Sequence, residues 1–359
     1  MRIVLLLLVM VTASCFAQDN VEITLTPSED SVKSKAKSQR DSIRAKYVKT
    51  FPDHFFVWPV IKRRTLNMEA QSLLNDNHRI AFKPNNSVSI GMGCYVFEVA
   101  VEVAFAVPIQ EQSTYKYGKT DASDLQLNII GKYWGLDVYR QKYEGFYMDD
   151  SLSPLSNDEP FPQRSDIATR NFGVTGMYAF NRDKFSLRSS FNFAEQQLYS
   201  RGSWFVTSTL NSFKMDGDSV IISIDDPERF SKVSDFVSLR YTTLGVAPGY
   251  SHNFIYKNFF LNLTLGIGPA HNWIYLKRST GVEEYGIAIN SISTLRFGIG
   301  YNADRFFGGI AFVNQSRSIK IEDFRVTNSS NFFRMLIGYR FKEFGFLKKR
   351  AVDFIPFKI

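Results

Sequence analysis

From residue 86 to residue 341 the chain repeats one pattern, in which large apolar side chains fall on every second position with small or polar ones between them. A pleated strand turns successive side chains to opposite faces, so each such run has one apolar and one polar face. In 97–107, Phe97, Val99, Val101, Val103, Phe105 and Val107 share one face, and Glu98, Ala100, Glu102, Ala104 and Ala106 share the other. The same alternation gives strands over 86–95, 97–107, 124–133, 136–146, 170–180, 185–193, 203–213, 237–250, 259–268, 287–301, 305–315 and 331–341. About nine to eleven residues suit a tilted strand that crosses a bilayer. An even number of strands suits a closed antiparallel barrel. No run of about eighteen apolar residues exists, which excludes transmembrane helices. The expected fold is all-β: an antiparallel transmembrane barrel of about twelve strands with a short N-terminal helical or irregular periplasmic segment.

The connections support the same reading. Short turns at 181–183 and 302–304 carry Asn and Asp, which favour turns, while 108–123, 147–169, 214–236 and 316–330 read as long loops. Short turns on one side and long loops on the other are the outer-membrane arrangement. Aromatic residues make up 15% of the chain, with 33 Phe, enough for aromatic girdles at both interfaces.

The ends of the chain differ from the repeating part. Residues 1–17 hold Arg2, a short apolar run and the small-residue end Cys15-Phe16-Ala17, as in a secretory signal peptide. The rival reading is a lipoprotein signal with Cys15 as the lipidated residue. Once the signal is removed, Cys94 is the remaining cysteine, so no internal disulfide forms. Residues 18–42 read as a polar periplasmic tail, and 43–78, rich in aromatic and basic residues, as a plug or barrel-end cap. The barrel is expected over 79–345 and a C-terminal tail over 346–359.

A soluble barrel would alternate in the same way, with its large apolar residues inside. Signal, strand length and glycine-rich polar faces favour the membrane, and alternation alone does not exclude the inversion. With the apolar face on lipid, Glu98, Glu102, Arg188, Arg240, Arg296, Arg334 and Arg340 are expected to form a charge network in the lumen. Unpaired charges there are costly, so mutual pairing is expected.

No catalytic, cofactor or metal pattern stands out. Tyr117-Gly118-Lys119-Thr120 ends like a phosphate-binding loop but has Ser113 where that motif needs glycine. His54, His78, His252 and His271 lack metal-ligand spacing. The net charge of +8 suits anionic lipid as well as nucleic acid, and export argues against the latter. Outer-membrane lipid is the expected partner, and no cofactor is expected. The expected role is a non-enzymatic outer-membrane protein or a narrow solute channel. Two alternatives stay open: a membrane-embedded lipid-modifying enzyme using Ser251-His252 or His271, and a soluble or lipid-anchored periplasmic binding barrel.

Four short motifs occur in linked order: Lys83-Pro84-Asn85, Gly91-Met92-Gly93, Tyr117-Gly118-Lys119-Thr120 with Asp124, and Gln141-Lys142-Tyr143-Glu144-Gly145-Phe146-Tyr147. On these the chain resembles the domain of unknown function 4421 family of the Bacteroidota, from near Tyr47 onward. The resemblance implies an exported, barrel-forming protein and carries no catalytic residue, ligand or partner.

Overall fold

The computed structural model describes residues 39–73, 78–96, 99–151, 159–222, 235–321 and 324–343. The signal at 1–17, most of the polar tail, Glu98 and the C-terminal tail lie outside the described residues. The chain divides into two compact units, 1–42 and 43–359. Of the first, residues 39–42 are described, and they are helical.

The second unit is a β-barrel. Its strands are β1 (Val48–Thr50), β2 (His54–Ser72), β3 (Arg79–Lys83), β4 (Ser89–Val96), β5 (Val99–Ala106), β6 (Asp121–Ile130), β7 (Trp134–Asp150), β8 (Gln163–Ala179), β9 (Glu195–Gln197), β10 (Arg201–Asp216), β11 (Phe236–Tyr256), β12 (Phe259–Arg278), β13 (Glu283–Asn302), β14 (Phe306–Ile321) and β15 (Phe324–Lys342). All pairings are antiparallel. Ten strands close a ring in the order β2-β3-β7-β8-β10-β11-β12-β13-β14-β15, with β15 pairing back onto β2. Beside this ring, β4 and β5 continue from β2, and β6 lies on β7. The wall therefore has ten strands at one end and twelve strand positions at the other.

Alternation sets which side chains meet lipid. On β12, Phe259, Leu263, Leu265, Ile267 and Trp273 are exposed, while Asn262, Thr264, Ala270 and Asn272 are buried. On β13, Tyr285, Ile287, Ile289, Leu295 and Ile299 are exposed in the same way. Apolar side chains outside and polar ones inside are the opposite of a soluble barrel. Cross-strand aromatic pairs ring the short-turn end: Trp204–Tyr250 at 5.2 Å, Phe259–Tyr301 at 5.2 Å, Phe306–Tyr339 at 4.9 Å and Phe55–Phe341 at 5.1 Å. Toward the other end come Tyr275–Tyr285 at 5.2 Å and His271–Trp273 at 4.5 Å. From Phe259 to Trp273 is about 46 Å along the strand at ~3.3 Å per residue, or about 35 Å along the normal at a tilt of roughly 40°. That span covers a hydrocarbon layer of about 30 Å.

Several expectations need correction. Residues 185–193 do not form a wall strand. They lie in the connection between β8 and β10, which holds the short helix Arg188–Phe191 and β9, and β9 pairs with β1. This connection and residues 43–53 cap the short-turn end from inside. The segment buries Phe185, Leu187, Phe191 and Phe193, and with them Ser186, Ser189 and Ser190, inside the barrel. Conversely, His54–Ser72 belongs to the wall, so the barrel begins at His54 and not at residue 79. Its first half is apolar on both faces because Phe56, Trp58 and Val60 pack under the cap, which hides the period of two. Most of 316–330 continues the β14–β15 hairpin.

Packed side chains fill the lumen at both ends. Under the cap, Phe193 meets Phe307 at 5.1 Å and Phe260 at 5.7 Å. Toward the other end lies a large apolar core that includes Phe82, Phe213, Met215, Ile221, Phe236, Leu239 and Val326. Phe236 of β11 stacks on Phe324 of β15 at 5.8 Å, with three strands between them around the ring.

Candidate functional site

The wall forks where β7 changes neighbours. Up to Glu144 it pairs with β6, and from Tyr147 it pairs with β3. Gly145 stands at the change, with φ +87°, beside a register shift in the pairing with β8. A glycine takes such a φ without steric cost, and a Cβ here would lie 2.3 Å from the Lys119 carbonyl oxygen. On the other arm, residues 84–88 interrupt the run from β3 to β4. The Asn85 side chain donates to the carbonyls of Gly118 (2.8 Å) and Ser113 (3.2 Å), and its backbone N–H donates to Thr120 Oγ1 (2.8 Å). Thr120 in turn donates to the Gly145 carbonyl at 2.8 Å. These bonds hold the helix Glu111–Tyr117 in the fork, and Tyr117 packs on Tyr147 at 4.9 Å.

Below the fork the wall has a seam. Among the described residues, β5 pairs with β4 alone and β6 with β7 alone, so their outer edges face each other without ladder bonds. Unpaired backbone edges are costly in lipid. Side chains brace the β6 side of the seam from within, and one ion pair reaches it from β2. Asn211 donates to Asn171 (2.7 Å), Asn171 to Gln141 (2.8 Å) and Gln141 to Asp124 (2.9 Å). Tyr143 Oη also donates to Asp124, at 3.2 Å. Arg64 of β2, just beyond the last β2–β4 pair at Lys62–Ser89, reaches the same carboxylate at 3.0 Å.

Behind the seam is a cavity of about 380 Å³. Its wall carries Lys62, Arg64, Glu102, Asp137, Arg296 and Arg334. Glu102 accepts from Trp58 Nε1 at 2.7 Å, pairs closely with Arg334 and lies 3.9 Å from Lys62. Arg296 meets Asp137 at 3.3 Å from the diametrically opposite strand of the ten-strand ring.

The residues expected to form one lumen network have separate places. Glu102, Arg296 and Arg334 line the cavity. Arg334 also donates to the Phe191 carbonyl of the cap at 2.7 Å. Arg188 sits on the cap helix, where it donates to Tyr95 Oη at 2.5 Å and forms an ion pair with Glu195 at 3.6 Å. Arg340, 1% exposed, donates to Phe193 O and Asn302 Oδ1, both at 2.7 Å, and lies 4.0 Å above the Phe51 ring. It holds the cap and meets no carboxylate among the described residues. Arg240 points outward and lies 5.6 Å above the Tyr275 ring, because β11 turns Leu239 and Tyr241 inward. Lys62, Arg64, Asp124, Asp137 and Tyr139, absent from the expected set, complete the site. Their outward neighbours at alternate positions were the signal available in the sequence.

The histidines stand away from the cavity. Ser251 is buried and bonded to Thr264 at 2.5 Å, whereas His252 is on the outer face against Phe254 at 4.4 Å. Adjacent strand residues point to opposite sides, so these two do not form a nucleophile–base pair. His271 likewise packs on Trp273 in the outer belt. No metal-ligating cluster occurs among the described residues.

Three of the four motifs that carry the family resemblance contribute to the fork, and Gly91-Met92-Gly93 lies within β4. Asn85, Thr120, Asp124, Gln141, Tyr143 and Gly145 make the bonds just described, and Gly93 leaves room for the Trp58 ring. Residues 39–341 match the family described as Domain of unknown function (DUF4421), and the chain belongs to that family. A search of curated proteins returns no match. Among solved structures the chain is similar to the outer membrane protease OmpT from Escherichia coli, at 10% identity over 82% of this chain and 98% of that one, with TM-score 0.37. It is also similar to the translocator domain of the autotransporter NalP from Neisseria meningitidis, at 8% identity over 87% and 98% of the two chains, with TM-score 0.28. Ail, the attachment invasion locus protein of Yersinia pestis, is similar at 12% identity over 58% and 97%, with TM-score 0.23. At these scores the likenesses carry nothing about activity, and the barrel rests on its own strand register.

Proposed function

We propose that this DUF4421 protein is an integral outer-membrane barrel that does not conduct along its axis and instead presents a closed interior with one side cavity. The observation that carries this reading is the packing of both lumen ends. The cap fills the short-turn end, and the apolar core around Phe213, Phe236 and Phe324 fills the other. A solute path along the axis would have to open two layers that are as dry as a soluble core. The exposed apolar belt, with aromatic pairs around its short-turn rim, supports the membrane location. The short-turn end, which holds the cap, is assigned to the periplasm by the usual rule for such barrels.

The test has two parts. Membrane fractions are run on detergent gels with and without boiling, and the folded barrel is expected to shift mobility on boiling. The purified protein is then placed in planar bilayers, where no steady conductance is expected at any voltage. A stable ohmic conductance overturns the closed reading.

A further inference from the structure

The cavity behind the seam is bordered by consecutive residues of the two edge strands. On β5, Glu102 points inward and Val101 outward, and both border it. On β6, Asn128 borders it along with Leu127 and Ile129, which are 57% and 40% exposed on the apolar belt. The facing edges of β5 and β6 carry no ladder bonds to each other, and the exposed Val101, Leu127 and Ile129 border the cavity on either side of that gap. The space therefore passes through the wall at the seam and meets the hydrocarbon layer. Its outer rim is apolar and its inner end is charged.

The inner end offers donors without acceptors. The carboxylates of Glu102, Asp124 and Asp137 satisfy part of the cation set. Lys62 Nζ is left with the 3.9 Å approach to Glu102 and no hydrogen bond among the described residues. The Nε groups of Arg64, Arg296 and Arg334 are buried with no partner. Buried donors left unpaired cost free energy, and a bound acceptor would relieve it. At about 380 Å³ the cavity falls within the roughly 300–1,000 Å³ range that holds small ligands.

We propose that this site takes a single-chain anionic amphiphile from the membrane, a fatty acid. Its carboxylate sits among Lys62, Arg64 and Arg334, and its chain leaves between β5 and β6 over Val101, Leu127 and Ile129. The proposal rests on the closed-barrel reading, since an axial water path would make lateral entry unnecessary. A carboxylate meets the free donors, and one acyl chain matches one opening between two strands. Neutral lipids lack the charge, and small soluble anions do not use the apolar rim.

The experiment is native mass spectrometry of the full-length barrel in detergent, titrated separately with palmitate, with hexadecanol and with inorganic phosphate. One saturable palmitate per barrel, bound at least tenfold more tightly than hexadecanol, is the expected result. Lys62→Met is expected to lower palmitate affinity at least tenfold, and Ala100→Trp, which fills the cavity at β5, is expected to abolish binding. Both variants are first checked for heat-modifiable mobility. If one fails to fold, the other is read with the hexadecanol comparison. Equal binding of hexadecanol overturns the anionic headgroup. Phosphate that binds alone and displaces palmitate overturns the amphiphile in favour of a free-anion site. No saturable palmitate in a barrel that is silent in planar bilayers overturns this inference alone, whereas conductance overturns the closed-barrel reading beneath it.

Discussion

Arg64 of β2 and Asp124 of β6 meet at 3.0 Å across the part of the wall where the backbones of β5 and β6 make no bond to each other. An ion pair stands in for backbone pairing there, and an amide ladder from β10 through β8 and β7 braces its carboxylate. Both side chains are mostly shielded, at 18% and 15% exposure, so the pair is not a solvated surface contact.

Asp124→Asn keeps an acceptor for Gln141 but leaves the Arg64 charge without its carboxylate. Breaking one side of a shielded pair costs about 3 kcal/mol. Urea unfolding of the barrel in lipid vesicles should show that loss, and Arg64→Met combined with Asp124→Asn should recover most of it. A single variant as stable as the parent would mean that the seam is held by something else.

Gly145 and Gly281 test the fork directly, since both have positive φ, +87° and +86°. A Cβ at Gly145 strikes the Lys119 carbonyl, whereas nothing lies within 4 Å of one at Gly281. Gly281→Ala should cost about 1 kcal/mol for its backbone conformation alone. Gly145→Ala should cost at least about 2 kcal/mol and expose the β5–β6 connection to protease. Equal costs would show that the fork is not held at Gly145.

Ile267 lies at the middle of the outer belt on β12, and Tyr285 lies near its far rim. Ile267→Arg should destabilise by about 2–4 kcal/mol and Tyr285→Arg by about 0–1 kcal/mol. The depth dependence, read from unfolding in vesicles, is specific to lipid contact. A flat response would mean that the belt does not face hydrocarbon.

Arg317 is 3% exposed and donates to Tyr139 Oη at 2.5 Å, while its Nε and Nη1 have no partner. Tyr139→Phe removes that acceptor and should cost about 2 kcal/mol, whereas Arg317→Met should be neutral or stabilising. Tyr139 keeps Asn211 at 3.2 Å in the second variant. Unfolding midpoints of the two variants decide the matter, and a strongly destabilised Arg317→Met would assign that charge a structural partner.

The period of two was legible in the sequence because it is local. It gave the strand type, the apolar face of β12 and β13 and the inward course of Glu102, Arg296 and Arg334, each from residues two apart. The linked motifs were legible too, but their common purpose was not. Asn85, Thr120, Asp124 and Gly145 are far apart in the chain and meet in the fork. Which strand lies beside which is a long-range choice made by register and turn geometry, and alternation is the same for every pairing. Hence 185–193, alternating like a wall strand, folds into the cap because that buries Phe191 and Phe193 against the inner wall. His54–Ser72, apolar on both faces where the cap covers it, is a wall strand. Arg240 faces outward because it shares the parity of Leu244, Val246 and Tyr250, which are exposed on β11, while Leu239 and Tyr241 turn inward. The sequence by itself determined strands with one apolar and one polar face, since side-chain parity is fixed by the backbone of each strand. Only the tertiary structure decided the closed ends, the fork and the side cavity, because those depend on contacts between strands that no local pattern encodes.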